Sequence, residues 1–376
     1  MSDVDVSVVI PCYNVEQYLD QAITSAEQND RIRLEIICVN DGSPDGSLAI
    51  MREHERRDPR VRVIDKPNGG YGNSMNRGFD EARGTYVAIL EPDDWVEPHM
   101  YDDLFEFGMS FSLETPPDII KTPYTRIWMP GTRKEHRYNC SYYMRTAPEV
   151  QPFTLKDAPR LIQHHPSIWS AIYRKEFLDE NGIRFMEVPG AGWVDNPFLI
   201  ETLCQAKAIV YKEQPYYNYR EDLPTSSSAR RTTTLPVERW HNMADVLDRL
   251  GVDDPGIRTS FGVIAFRYAG GLIDAGALED PETKQLMASM FERMGRDQIL
   301  AIPNVAPDFK RLALELIGEE VPEIDNTSYR DALVNEFFYT VKTNGIAFGF
   351  ERFKLFVEQK LSFSKANPNR TRSASI

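Results

Sequence analysis

Short β-branched runs alternate with stretches of helical period through the first hundred residues. Residues 6–10 form an apolar run stopped by Pro11, and residues 15–28 then carry apolar positions at helical spacing, with Asn14 as the expected cap. Residues 34–39 form a second apolar run, stopped by Asn40, Asp41, Gly42 and Ser43. Asp45 is placed to cap a helix reaching about residue 57. Residues 61–64 predict a third strand, Gly69 and Gly70 open a turn, and residues 71–83 predict a helix closed by Gly84. Residues 85–90 predict a fourth strand. Strands alternating with helices predict an α/β fold, a Rossmann-like, mostly parallel sheet flanked by helices.

The pattern weakens from residue 98 to about residue 150, apart from a helix expected over 100–112. A short run at 168–173 leads into a predicted helix at 174–180, and residues 190–204 read as a turn followed by a helix. Residues 208–211 and 216–220 predict short edge strands, and 225–234 is a loop rich in Ser, Thr and Arg. From Pro236 onward helical spacing dominates, broken at 251–255, 280–281, 303–307 and 321–325. The expected organisation is one α/β domain over 1–230, in halves 1–100 and 101–230, an added helical region over 231–364, and a polar, disordered tail over 365–376.

Charge and cysteine usage narrow the classes. A net charge of −14 argues against nucleic acid as a partner, which calls for a basic field. The four cysteines, Cys12, Cys38, Cys140 and Cys204, form no CxxC pair, so neither zinc nor a redox couple is expected. Cys12 and Cys38 lie in or beside apolar runs, which suits a reducing compartment. No secretory leader and no apolar stretch of membrane-spanning length is visible, so a cytoplasmic location is expected.

The chemistry gathers at strand ends. Ligands of open α/β sheets bind outside the carboxyl ends of the strands. Pro11 to Asn14 follow the first predicted strand, Asp41 the second, and Glu91, Asp93 and Asp94 the fourth, so three stretches should meet at one crevice. Three carboxylates against a buried strand call for a cation, and Mn²⁺ or Mg²⁺ takes oxygen ligands while leaving sites open for phosphate. A nucleoside-diphosphate substrate is the expected partner.

The strings Val8-Val9-Ile10-Pro11-Cys12-Tyr13-Asn14, Asn40-Asp41-Gly42-Ser43, Asn68-Gly69-Gly70-Tyr71-Gly72, Asn76-Arg77-Gly78 and Glu91-Pro92-Asp93-Asp94 resemble those of family 2 glycosyltransferases, in order and spacing. The likeness covers about residues 5–100 and continues more weakly to about residue 228. It implies a GT-A fold, residues 1–100 binding the nucleotide-sugar and 101–230 the acceptor, and inversion at the anomeric carbon. It assigns Pro11, Tyr13, Asn14 and Asp41 to donor binding, with Tyr13 and Asp41 at the base, Asn76 and Arg77 to further donor contacts, Asp94 to the metal, and Asp93 to the ribose or the same metal. It makes Asp195 the catalytic base, although Val194 stands where the family commonly has Glu. Trp193 would line the acceptor pocket and Arg220 would pair the diphosphate. By family frequency the donor is a UDP-sugar, and the acceptor a saccharide or lipid-linked hydroxyl in surface polysaccharide synthesis.

Each residue also has a plain structural reading. Tyr13 could fill core, Asp41 could form an Asx turn, Asp93 and Asp94 could favour a helix N-terminus, Asp195 could be an N-cap, and Arg77 and Arg220 could be surface charges. A non-catalytic nucleotide-sugar-binding module and a sugar nucleotidyltransferase are the rival functions. Arg239-Trp240 resembles part of the QxxRW element of processive synthases, but Pro236 stands at the Gln position, so one sugar per encounter is expected. Ile346, Phe350, Phe353, Val357 and Leu361 line one helical face in a basic segment. That helix reads either as packed on the catalytic domain, the preferred reading, or as a peripheral contact with the inner face of a membrane.

Overall fold

A computed structural model describes residues 3–146, 148–221, 223 and 234–354. They form two compact units, one of Met1–Arg230 with Asn242–Val252, the other of Arg231–His241 with Asp253–Ile376. In the first unit β1 (Val4–Cys12), α1 (Glu16–Glu27), β2 (Leu34–Asp41), α2 (Ser47–Arg57), β3 (Val61–Lys66), α3 (Tyr71–Glu81) and β4 (Gly84–Ile89) alternate as the hydrophobic pattern predicts. They are followed by β5 (Trp95–Val96), α4 (Met100–Met109), β6 (Ile119–Lys121), β7 (Tyr124–Trp128), β8 (His136–Asn139), β9 (Ala171–Arg174), α5 (Lys175–Glu180), α6 (Asp195–Gln205), β10 (Ile209–Tyr211) and β11 (Tyr217–Arg220).

The central sheet has seven strands in the order β10-β6-β9-β4-β1-β2-β3. β1 lies parallel between β2 and β4, and β2 pairs parallel with β3. β9 runs antiparallel to both β4 and β6. Every residue of β2 is buried, which is why it reads as a continuous apolar run rather than an alternating one. The carboxyl ends of β1, β2, β3 and β4 therefore share one edge. A second sheet, β5-β11-β7-β8, was not visible in the weak stretch after residue 98, and β11 lies inside it rather than at an edge.

One cap differs from expectation. Asn14 has left-handed backbone (φ 56°) and does not cap α1. Asp45 serves both neighbouring helices instead: one oxygen accepts from the Glu16 N–H (3.0 Å) and the other from the Ser47 N–H (3.1 Å). Glu16 returns the contact by accepting from the Gly46 N–H (2.6 Å). The starts of α1 and α2 are thereby locked together beside the crevice.

The helices after Pro236 are α7 (Leu235–Arg249), α8 (Pro255–Asp274), α9 (Pro281–Ala301), α10 (Pro307–Leu316) and α11 (Thr327–Asn344). Asp254 and Asp280 cap α8 and α9 by accepting from Ile257 N–H (3.0 Å) and Thr283 N–H (2.9 Å), each with Pro next in sequence. In the second unit Trp240 is buried and stacks on Phe261 at 4.8 Å. No described helix is long and apolar enough to cross a membrane. The expected 365–376 tail and residues 225–233 of the expected loop lie outside the described residues.

Candidate active site

The crevice opens at the shared edge of β1 to β4. Pro11 is buried within β1, while the Tyr13 side chain just beyond it is 52% exposed and open to a ligand. Asn14 donates its N–H to Ser43 Oγ (3.3 Å), tying the β1 and β2 loops together. Asp41 ends β2 as a buried carboxylate. It accepts from Lys66 Nζ, from the Gly69 N–H (2.8 Å) and from the Gly70 N–H (2.9 Å). Asp41 thus organises the loop after β3 and is already well supplied with donors.

The acidic turn after β4 is held from a distance. Asp94 is buried, and both its oxygens are taken by β11: one accepts from the Arg220 N–H (2.7 Å), the other from the Tyr217 hydroxyl (3.0 Å). Tyr217 is itself fixed by stacking on Trp169 at 4.0 Å. The Arg220 guanidinium donates through Nε to the Asp93 carbonyl (2.9 Å) and lies over Tyr18 (4.7 Å) and Trp95 (5.1 Å). No described residue except Asp93 itself, through its own backbone N–H, donates a hydrogen bond to the Asp93 carboxylate. Burial raises the Asp93 carboxyl above its ordinary range, and burial with the neighbouring Asp93 charge holds Asp94 well above it.

Glu91 completes the turn, accepting from the Tyr71 hydroxyl (2.6 Å). Burial pushes its carboxyl up to about 8, against the Tyr71 hydrogen bond and with added repulsion from Asp93 and Asp195. Asp195 opens α6 and also acts electrostatically on Tyr71, so the distant Gly190–Trp193 turn delivers its carboxylate to the same crevice. Burial pushes the Asp195 carboxyl up to about 6.

Close backbone approach makes this possible. The Tyr71 N–H donates to the Gly190 carbonyl (2.9 Å). A Cβ on Gly70, which has φ 87°, would meet the Val188 carbonyl at 2.5 Å, and one on Gly72 would meet the Met186 carbonyl at 2.0 Å. Gly72→Ala is therefore expected to destabilise the protein by about 2 kcal/mol in denaturant unfolding, since backbone must move to admit the methyl.

The family model described as Glycosyl transferase family 2 matches residues 7–182. Residues 7–182 are a family 2 glycosyltransferase domain. The chain is 31% identical over 231 residues to the uncharacterized glycosyltransferase EpsJ of Bacillus subtilis (strain 168), covering 58% of this chain and 61% of that protein. It is 30% identical over 245 residues to the minor teichoic acid biosynthesis protein GgaB of the same organism, covering 63% of this chain and 25% of that one. Among solved structures, residues 1–349 of S. aureus TarS in complex with UDP-GlcNAc align with TM-score 0.63 at 20% identity, over 89% of this chain and 91% of that one. The shared architecture is the GT-A fold. The chain spans about three fifths of the length of EpsJ.

The family 2 pattern and the structure place some residues differently. Asn76 does not open to the crevice. Its amide donates to the Phe185 carbonyl (3.0 Å) and Glu187 (3.0 Å) and accepts from the Phe185 N–H (2.9 Å), so it pins the segment leading to Asp195. Arg77 points to solvent in an i,i+4 pair with Glu81 (2.8 Å), a spacing already readable in the sequence. Trp193, with φ 52°, sits in the turn that delivers Asp195 and accepts at its carbonyl from the Asn196 N–H (3.4 Å). Lys66, Tyr71 and Tyr217 are site residues that sequence reasoning missed. Only Tyr71, between two glycines at a predicted helix start, carried a signal.

Asp30, His99 and Asp102 bring potential metal-ligand atoms within 4.8 Å of one another. Asp102 is taken up there by the N–H groups of Asp30 (3.2 Å), Arg31 (3.2 Å) and Ile32 (3.3 Å), and the cluster serves to fix that loop on α4.

Proposed function

We propose that this chain is an inverting glycosyltransferase that moves one sugar per encounter from a UDP-sugar to a hydroxyl of a saccharide or glycolipid acceptor. The observation that carries the reading is Asp195, a half-buried carboxylate with its pKa pushed up to about 6, brought beside the acidic turn from a hundred residues away. A carboxyl raised this far is a stronger base than an ordinary aspartate, as a proton acceptor requires. Asp195 takes the proton from the acceptor hydroxyl as its oxygen attacks the anomeric carbon. The nucleoside diphosphate leaves from the opposite face, so the configuration inverts. Tyr13 covers the donor base, and Trp193 borders the acceptor side. The UDP donor and the link to surface polysaccharide draw support from TarS, which has the same fold and was crystallised with UDP-GlcNAc, and from the teichoic acid protein GgaB.

The acidic turn fits a divalent cation. Hard oxygen donors suit Mn²⁺ or Mg²⁺, and three neighbouring carboxylates, Asp94 buried and Glu91 and Asp93 half-buried, repel one another without a cation. Asp93 has the open carboxylate and would hold the ion, with Glu91 beside it, while Asp94 shapes the turn. When bound, the ion supplies positive charge that stabilises the departing diphosphate.

Screening UDP-, GDP- and dTDP-sugars by thermal shift with Mn²⁺ or Mg²⁺ tests the reading. A UDP-sugar should raise the Tm and be turned over to UDP. Pyrophosphate release would mark a nucleotidyltransferase, and no shift with any donor would end the proposal.

The same carboxylates predict a pH effect on stability. Glu91 and Asp195 move from ordinary values of 4.5 and 3.8 up to about 8 and about 6 on folding. The folded state thus binds their protons more tightly, so their contribution is complete below about pH 4 and lost as pH rises through about 6 and then about 8. Without divalent cation the Tm should fall over that window, and Mn²⁺ at the alkaline end should restore it, as calorimetry would show.

A further inference from the structure

The helix α11 has no buried residue. An isolated helix of this length is marginal in water, and helices in proteins owe most of their stability to a packed apolar face. A second helical stretch, described over 346–354, follows Gly345 and crosses it closely: a Cβ on Gly349 would lie 2.5 Å from Val341 Cγ2. The Phe337 ring joins the two, lying 5.7 Å from Phe350 and 6.2 Å from Phe353. Around this junction Val334, Phe338, Ile346, Phe350 and Phe353 are each more than half exposed. A cluster of five exposed large apolar side chains marks an interaction surface.

Charge selects the partner. The whole chain carries −14, yet residues 351–376 hold six Lys or Arg against two Asp or Glu. Exposed aromatic rings beside a basic segment, with Arg352 and Lys354 on the described helical stretch itself, suit an anionic bilayer, where the rings enter the headgroup boundary and the cations meet lipid phosphates. A two-fold pairing of this patch with a second copy would instead set like charges together. The acidic remainder of the chain is repelled by the same lipid, which favours one orientation.

We propose that the paired helices around Phe337 dock this protein on an anionic membrane surface. The proposal is independent of the sugar donor and of the chemistry at Asp195. The full chain should co-sediment with vesicles of equimolar phosphatidylglycerol and phosphatidylcholine, and not with phosphatidylcholine alone. Raising the salt should release it. Phe338→Ser with Ile346→Ser should weaken binding about tenfold or more, and Arg352→Gln with Lys354→Gln about tenfold, with the Tm and the donor-induced shift unchanged. Equal binding to both vesicle types, or none to either, overturns the proposal. So does a dimer in sedimentation velocity that the Phe338→Ser, Ile346→Ser variant converts to monomer while vesicles bind nothing, because a second copy would then be the occupant.

Discussion

Replacing Asp195 with Asn is expected to lower turnover about a thousandfold while leaving nucleotide-sugar affinity nearly unchanged. The amide keeps the size and the hydrogen bond from Asn196 Nδ2 (3.0 Å) but cannot accept the acceptor proton. A pure loss in kcat separates a base from a residue that merely holds the donor. In the unaltered protein kcat/KM should rise with pH through about 6, the value to which burial pushes this carboxyl, and the variant should lose that limb. Val194 stands where the family commonly has Glu, so under the proposed mechanism proton removal would fall to Asp195 alone. Turnover retained in the variant would overturn the assignment.

The second large effect concerns which aspartate meets the cation. Asp93→Ala should remove the cation-dependent part of the donor-induced thermal shift and cost about a hundredfold in kcat/KM, with little change in stability without ligand. Asp94→Ala should do the reverse first. It strips the acceptors from the Arg220 N–H and the Tyr217 hydroxyl in a buried setting, for a stability loss of about 2 kcal/mol in denaturant unfolding. Isothermal titration with Mn²⁺ and UDP distinguishes the two. If Asp94→Ala leaves the fold intact but abolishes Mn²⁺ binding, and Asp93→Ala keeps it, the roles are exchanged.

How much of this was written in the sequence follows from how local each signal is. β1 to β4 were legible because strands buried on both faces are continuous apolar runs between turn residues. The rule that ligands sit at strand carboxyl ends then brought Asp41 and the acidic turn to one edge. β6, β7 and β8 were not legible. They are three to five residues long and gain their order from partners such as β9 and β11, far along the chain. Side-chain duties were harder still. Nothing near Asn76 announces that its amide is spent on Phe185 and Glu187, and nothing near Asp94 announces Tyr217. The cap of α1 was misread for the same reason: Asp45 reaches it through space, 29 positions along the chain.

The staple from β11 to Asp94 bears on how the protein can be trimmed. A shortened version ending at residue 182, where the family match stops, would retain Asp41, Glu91, Asp93 and Asp94 yet lack Asp195, Tyr217 and Arg220. Its acidic loop would have no clamp, and the aromatic stack on Trp169 would be half empty. Expression engineers seeking a minimal catalytic piece should therefore place the cut beyond Arg220, since the boundary of sequence likeness falls short of the boundary of a working crevice.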